Sequence, residues 1–298
     1  MKILITGASG LVGTSIARVL ELSGNTILSL SRKPKTGGFK WDPDRGEIEL
    51  PNNINIDVVI HLAGENISQA RWSTKQKEAI LNSRVKGTRL LVDNIIRLHT
   101  PPRTLISASG IGIFGDRQDG ILHEDDQLGA GFLVDVAREW ERATKLAVDA
   151  GMRVSNLRMG VVMSREGGVL KRLIPLFRYG FGAVLGSGNQ YMSWVTIDDV
   201  VRAIEYILTN EGINGPVNMV APNPVSNREF TKTLGTVLRR PTILRVPAWA
   251  IQAMYGEMGK ELLLSSTRAL PCRLLSSGFD FQFPYLEDGL RHVLNITS

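Results

Sequence analysis

The chain has 298 residues, of which 43% are hydrophobic and 21% are charged, with 30 glycines and 13 prolines. This composition is typical of a globular protein and excludes disordered, collagen-like and coiled-coil chains. The formal net charge is +6, but basic and acidic residues are mixed along the chain, which predicts a solvated mixed-charge surface and no nucleic-acid partner.

Side chains that bind metals or form disulfides are few. Cys272 is the single cysteine, and the four histidines are scattered, at His61, His99, His123 and His292. No two of them have metal-ligand spacing, so we expect no metal site. The first residues run directly into a glycine turn without the pattern of a signal peptide, and no eighteen apolar residues are consecutive. We therefore expect a cytoplasmic location and no membrane partner.

Short apolar runs alternate with amphipathic stretches through the first half of the chain. In chain order we predict a strand at 2–6, a helix at 11–23, a strand at 25–30, a hairpin-like insert, a strand at 56–62, a helix at 73–98, a strand at 104–107, a helix at 132–150 and a strand at 153–157. Ser73 is the expected N-cap of the long helix, with Leu81, Val85 and Leu91 on one side. This alternation predicts an α/β fold with a Rossmann-type, doubly wound parallel sheet.

The composition shifts at Gly160, where glycines crowd the segment 167–188, which is typical of loops near a ligand or loops that cross between domains. Beyond it we predict a helix at 198–208, a strand near 217–220 and helices around 227–238 and 247–264. Asp198 and Asp199 are interpreted as an N-cap of the first of these helices, in preference to a catalytic carboxylate pair.

A glycine-rich turn, Thr6-Gly-Ala-Ser-Gly-Leu-Val-Gly13, separates the first predicted strand from the first helix. Glycines at this spacing allow a tight turn, the approach of the backbone to a pyrophosphate and close packing of the helix, whose N-terminus carries partial positive charge. The turn has the βαβ context that a dinucleotide-binding fingerprint requires. We predict that the cofactor-binding residues here are Gly7, Ser9, Gly10, Leu11, Val12 and Gly13.

The second predicted strand ends in Leu30-Ser-Arg-Lys33, where a chain specific for NAD usually carries Asp or Glu. Arg32, with Lys33 behind it, could pair with a 2′-phosphate, which favours NADP (NADPH) over NAD. The alternative is that both are solvated turn residues.

Four motifs resemble those of the extended short-chain dehydrogenase/reductases: the glycine turn, Asp57-Val-Val-Ile-His-Leu-Ala-Gly64, Arg84-Val-Lys-Gly-Thr88 and Ser107-Ala-Ser-Gly-Ile-Gly-Ile-Phe-Gly115. Motifs of the second half are similar to the atypical branch labelled nucleotide-sugar epimerase-like, among them Gly186-Ser-Gly-Asn-Gln-Tyr-Met-Ser-Trp-Val195 and Gly215-Pro-Val-Asn-Met-Val-Ala-Pro-Asn-Pro-Val225. We expect an NAD(P)-binding Rossmann domain at 1–160, rejoined by about 196–222, and a smaller C-terminal substrate-binding domain at 161–298.

The resemblance implies roles for individual residues. Gly7, Gly10 and Gly13 would hold the pyrophosphate, and Arg32 the 2′-phosphate. The turn that follows His61 would border the riboses of the cofactor, so that Leu62, Ala63, Gly64 and Ser107 complete the predicted cofactor site. His61 itself, inside an apolar run, is interpreted as a buried core residue.

The chain departs from this family at the positions that carry proton transfer. The family has a Tyr-x-x-x-Lys pair, in which the lysine lowers the tyrosine pKa. Here no tyrosine lies between residues 109 and 151, and Leu133 and Ala137 stand at about the expected places. In the long helix, Arg84 replaces the usual asparagine.

Other residues at the carboxyl ends of the strands are therefore the catalytic candidates. We predict Ser109, Glu65 or a bound water as the base, and Arg71 or Arg158 as a clamp for an anionic substrate; Trp72 and Trp194 are further candidates. The alternatives are a turn cap for Glu65, an ion pair for Arg158 and packing for both tryptophans.

Three functional hypotheses follow from these features. The first is an NADP-dependent oxidoreductase or epimerase-like enzyme that acts on a small polar substrate such as a nucleotide sugar, as a monomer or homodimer. The second is a catalytically silent NADP-binding sensor or scaffold, which the missing Tyr-Lys pair suggests. The third is a structural protein whose glycine turn binds no nucleotide.

Overall fold

The computed structural model describes residues 1–34 and 37–296. Its strands are β1 (Lys2–Thr6), β2 (Thr26–Ser31), β3 (Phe39–Asp42), β4 (Glu47–Ile48), β5 (Val58–His61), β6 (Thr104–Gly110), β7 (Ile121–Leu122), β8 (Arg153–Met159), β9 (Val161–Met163), β10 (Ala183–Leu185), β11 (Tyr191–Met192), β12 (Trp194–Thr196), β13 (Gly215–Met219), β14 (Val225–Ser226), β15 (Leu244–Val246) and β16 (Arg268–Ala269).

The helices are α1 (Leu11–Leu22), α2 (Thr74–Ile95), α3 (Phe132–Ala143), α4 (Lys145–Asp149), α5 (Gly168–Arg178), α6 (Ile197–Thr209), α7 (Asn227–Val237), α8 (Ala248–Tyr255), α9 (Glu257–Gly259), α10 (Cys272–Ser276) and α11 (Leu286–Val293). A 3-10 turn at Ile111–Phe114 follows β6, and a π-helical turn at Lys260–Leu264 follows α9.

Eight strands form the main sheet, in the order β13-β8-β6-β5-β1-β2-β3-β4. The pairs β1-β2, β1-β5, β5-β6 and β2-β3 are parallel, whereas β3 and β4 form the antiparallel hairpin of the predicted insert. Because the chain moves outward from β1 in both directions, the sheet is doubly wound. The predicted Rossmann-type α/β fold is confirmed.

The register aligns four residues of adjacent strands near the carboxyl ends of β1, β2 and β5. Thr6 pairs with Leu30 of β2 on one side and with His61 of β5 on the other, and His61 pairs in turn with Ser107 of β6. Since parallel strands end at a common edge, the residues that follow them are brought to the same side of the sheet. The glycine turn and the segments that follow β2 and β5 therefore lie at the same end of the sheet.

The chain forms two compact units, each made of three segments: Met1–Ser109, Asp135–Leu157 and Ile204–Val217 in one, and Gly110–Val134, Arg158–Ala203 and Asn218–Ser298 in the other. Each has its own apolar core, around Leu4, Val59 and Leu105 in the first and around Trp194, Phe230 and Leu290 in the second. The functional domain limits predicted above remain a prediction. Within the described ranges no helix is long and apolar enough to cross a membrane.

The buried side of α2 agrees only in part with the predicted one. Leu91 is buried as predicted, but Leu81 and Val85 are only half-buried, whereas Ile80, Gly87 and Thr88 are buried. Small residues set this face, because a Cβ placed on Gly87 would lie 3.1 Å from the Trp41 ring, and the Thr88 hydroxyl is bonded within the core. The buried face keeps helical spacing from Ile80 to Ile95, but shape and hydrogen bonding place Gly87 and Thr88 on it.

The pair Asp198-Asp199 does not have the predicted capping role. Thr196 caps the helix by accepting the Asp199 N–H at 3.1 Å. The fully buried Asp199 carboxylate instead accepts the backbone N–H groups of Gln282 at 2.8 Å and Phe283 at 3.0 Å. Asp199 thus fastens the segment before α11, with Arg202 bonded to it at 3.0 Å.

We expect Asp199→Ala to lower the free energy of unfolding by about 3 kcal/mol, because two partly buried N–H groups lose a fully buried, charged acceptor. Asp198→Ala is the matched control: its partly exposed carboxylate has a 3.4 Å contact with His292 and should contribute less than about 1 kcal/mol. Urea unfolding of both variants measures the difference, and equal losses would contradict the assigned role.

Candidate functional site

The glycine turn between β1 and α1 leaves no room for side chains. Gly7 has a φ of +71°, and a Cβ placed on it would lie 2.8 Å from the Ala63 nitrogen. A Cβ on Gly13 would lie 2.1 Å from the Gly7 oxygen. These distances are below van der Waals contact, so α1 packs on the turn as closely as glycine permits.

The first turn of α1 carries no competing acceptor. Gly10 is its N-cap residue, without a side-chain cap, and no acidic residue lies in the turn. Ser9 and Gly10 are exposed, and Leu11 and Val12 are half-buried. Backbone N–H groups and the helix dipole together make such a terminus suited to an anion.

Arg32 and Lys33 are exposed directly after β2. The pairing of Thr6 with Leu30 brings them to the edge at which the glycine turn lies. Two cations therefore stand where an anionic group attached to a bound nucleotide could reach them.

A buried set of hydrogen-bonded polar side chains contacts the turn after β5. His61 Nδ1 is 2.6 Å from Thr6 Oγ1, and His61 Nε2 is 2.9 Å from Thr88 Oγ1. Thr6 Oγ1 also accepts the Ala63 N–H at 3.3 Å. The burial of His61 lowers its pKa to about 4, with a smaller contribution from Arg84. The imidazole is therefore neutral at pH 7 and fixes the position of the turn that contains Ala63.

The structure places the predicted catalytic residues in different surroundings. Glu65 is half-buried, and its N–H donates to Ser83 Oγ at 3.0 Å; Arg71 is exposed. Ser109 is buried, and its hydroxyl donates to Glu141 Oε1 at 2.8 Å. Ser107 is fully buried within β6, where it pairs with His61. Their catalytic and cofactor roles remain predictions.

The remaining candidates are held by packing and by backbone acceptors. The indole of buried Trp72 donates to the Ile67 oxygen at 2.8 Å, and that of Trp194 to the Asn223 oxygen at 2.9 Å. The Arg158 guanidinium is buried and donates to the Glu124 main-chain oxygen at 2.7 Å. A structural role accounts for these three side chains.

Residues of α2 and α3 form a cluster that was not predicted from the sequence. The Arg84 guanidinium lies 4.8 Å from the centroid of the Trp140 ring, and its Nη1 donates to the Ile80 oxygen at 3.1 Å. Burial lowers the pKa of Arg84 to about 10, and the charge of Glu65 opposes this shift. The available signal was the replacement of the family's asparagine by arginine within the motif Arg84-Val-Lys-Gly-Thr88.

We predict that His61 makes stability depend on pH. Its pKa is about 4 in the folded chain and about 6.5 in the unfolded chain, so the unfolded chain binds more protons between these values. The stabilisation is complete above pH 6.5 and is lost as the pH falls toward 4. Between pH 7 and 5 we expect a loss of about 2 kcal/mol.

Urea unfolding at both pH values tests this expectation. The His61→Gln variant should lack that loss, whereas His99→Gln, which removes an exposed histidine, should keep it. Parallel pH profiles for the wild type and His61→Gln would contradict the buried neutral imidazole.

Comparisons with known proteins agree with this geometry. The model of the NAD dependent epimerase/dehydratase family matches residues 3–220, and a domain of unknown function matches residues 246–293. The epimerase family protein Mb2239 of Mycobacterium bovis is 38% identical over 293 residues, which cover 98% of this chain and 97% of that protein.

Two further relatives are similar over almost the whole chain. A chloroplastic homolog of the epimerase family protein SDR39U1 from Arabidopsis thaliana is 36% identical, covering 99% of this chain and 87% of that protein. The crystal structure of the human epimerase family protein SDR39U1 with NADPH superimposes with a TM-score of 0.92, at 30% identity and 99% coverage of both chains.

Proposed function

The chain belongs to the NAD-dependent epimerase/dehydratase family, and we propose that it binds NADPH and uses it to convert a small polar substrate. This membership confirms the resemblance to extended short-chain dehydrogenase/reductases. The observation that carries the proposal is the uncapped glycine turn with exposed Arg32 at the same edge of the sheet. The human relative crystallised with NADPH supports it.

The glycine turn fits the diphosphate of the cofactor. A Cβ at Gly7 or Gly13 would fill the space that the backbone occupies, and the first-turn N–H groups of Leu11 and Val12 have no side-chain acceptor. In this proposal those N–H groups donate to phosphate oxygens, while Ser9 and Gly10 line the exposed side.

Arg32 supplies the preference for NADPH. A guanidinium forms paired, charge-assisted hydrogen bonds to a phosphate, and no carboxylate replaces it at the end of β2 to accept ribose hydroxyls. The turn of Leu62, Ala63 and Gly64 borders the riboses, and we assign buried Ser107, which pairs with His61 in the sheet, to the same cofactor site.

NADPH, when bound, would supply a hydride to the substrate and become NADP+. In the chain itself, we assign Glu65 as the group that exchanges a proton with the substrate and Arg71 as a clamp for its negative charge. We assign Ser109 to orienting the substrate; in the structure its hydroxyl donates to Glu141 Oε1 at 2.8 Å.

A second candidate function is a catalytically silent NADPH-binding sensor. It is favoured by the two positions at which the family carries tyrosine and lysine: Leu133 packs against Gly112, and Ala137 is buried. Neither side chain transfers a proton. A panel of small hydroxy acids, oxo acids and sugars distinguishes the candidates, because the sensor binds NADPH without turnover of any of them.

We also propose a cellular location, an oligomeric state and a class of partner. We place it in the cytoplasm, as a monomer or homodimer with a small-molecule substrate as its partner. The Arabidopsis relative is named as chloroplastic, so the family is not confined to one compartment.

Titration with NADPH and with NADH tests the cofactor assignment. The wild type should bind NADPH more tightly, and Arg32→Ala should weaken NADPH binding by about 10- to 100-fold while changing NADH binding little. Arg97→Ala is the matched control, because Arg97 is an exposed arginine beyond the far end of α2. Intrinsic tryptophan quenching reports both affinities.

Two results would contradict this assignment. Equal affinities for NADPH and NADH would remove the preference, and an equal loss for both cofactors in Arg32→Ala would show that Arg32 does not recognise the 2′-phosphate.

A further inference from the structure

We propose that Arg84 binds the carboxylate of the substrate, so that the substrate is a small organic acid. The inference rests on the proposed function, because Arg84 lies against the turn assigned to the riboses. It names a substrate class and, in addition to the clamp assigned to Arg71, a specificity-determining residue that recognises the carboxylate.

The guanidinium of Arg84 is held in a fixed plane. A Cβ placed on Gly64 would lie 3.2 Å from Cζ, 3.3 Å from Nη2 and 3.5 Å from Nε. Because Cζ is the nearest of the three atoms, the Gly64 backbone lies over the face of the group and not at its edge. The Trp140 ring also contacts the guanidinium, 4.8 Å from Cζ to the centroid. These contacts orient the guanidinium before any ligand arrives.

One edge of this group is available to a ligand. Nη1 donates to the Ile80 oxygen at 3.1 Å. Nε and Nη2 have no acceptor among the described residues, yet neither belongs to the buried unpaired atoms. An arginine edge of two parallel N–H groups matches the two oxygens of a carboxylate.

The charge of Arg84 also lacks a direct counter-ion. Within residues 1–34 and 37–296, no carboxylate lies at ion-pair distance from it, and Glu65 acts on it only at longer range. A partly desolvated cation without a counter-ion is costly. A bound carboxylate neutralises the charge of Arg84 and accepts its hydrogen bonds. A neutral amide or carbonyl accepts the hydrogen bonds but leaves the charge without a counter-ion.

Arg153 shows how a structural arginine in the same unit differs. Its Nη1 donates to three main-chain oxygens, those of Ile207 at 2.9 Å, Ile213 at 3.0 Å and Asn210 at 3.1 Å. Burial also lowers its pKa. Arg153 is therefore also desolvated, to a smaller extent than Arg84, but its guanidinium donates to main-chain oxygens of the fold. It serves as an internal control for an arginine with a structural role.

Modification by phenylglyoxal, read by peptide mass spectrometry, tests the proposal. The reagent attacks accessible guanidinium groups, so Arg84 should react and acetate should protect it by about fivefold. Acetamide, which has the same shape without the charge, should not protect, and the modification of Arg153 should be unchanged by either. Protection by both probes, or by neither, would overturn the proposal.

Variants separate binding from folding. Arg84→Gln should lose the discrimination between acetate and acetamide in calorimetric titration, whereas Arg84→Lys, which keeps the charge without the fork, should retain part of it. Thermal melting confirms that both variants fold. Full discrimination in a folded Arg84→Gln would assign the carboxylate site to another residue and overturn the proposal.

The same measurements in the presence and absence of NADPH distinguish this proposal from the proposed function. Acetate protection in a chain that does not bind NADPH would support the Arg84 site while the cofactor assignment fails. NADPH binding without acetate protection would overturn the Arg84 site and leave the cofactor assignment intact.

Discussion

Three buried, hydrogen-bonded side chains connect β1, β5 and α2. Thr6, His61 and Thr88 are all fully buried, and hydrogen bonds of 2.6 and 2.9 Å link them through the two ring nitrogens. A buried imidazole is tolerated only when both nitrogens are satisfied. Each of the three elements is therefore fixed relative to the other two at the edge where the glycine turn begins.

The positions of the ligand-facing groups follow from this constraint. Thr6 directly precedes the glycine turn and also accepts the Ala63 N–H, so the turns after β1 and β5 share one anchor. Thr88 lies one helical turn after Arg84 on α2. The hydrogen bond between His61 and Thr88 therefore also fixes the position of Arg84 beside Gly64. The proposed NADPH site and the proposed carboxylate site at Arg84 therefore depend on the same buried imidazole.

Much of this arrangement could be predicted from the sequence. The strand β1 has the predicted bounds, and the glycine spacing located the turn because close backbone packing at Gly7 and Gly13 requires that residue type. Local signals of this kind are carried by a few adjacent residues. The N-cap at Ser73 was predicted for the same reason and is confirmed.

Other features depend on contacts that are distant in sequence. In the sequence Asp199 looks like a helix cap, but its carboxylate oxygens accept hydrogen bonds from the backbone N–H groups of residues 282 and 283. Similarly, Arg84 lies 56 positions before Trp140, and Glu141 is separated from Ser109 by 32 positions. The fold alone brings these pairs together, so periodicity and motif spacing could not reveal them.

A crystal structure of the protein grown with NADPH and acetate tests the account most directly. We expect the diphosphate at the first-turn N–H groups of α1, the 2′-phosphate at Arg32 and an acetate on the Nε and Nη2 edge of Arg84. A nucleotide bound elsewhere, or a glycine turn that stays empty at saturating NADPH, would contradict the central claim that this chain is an NADPH-binding member of its family.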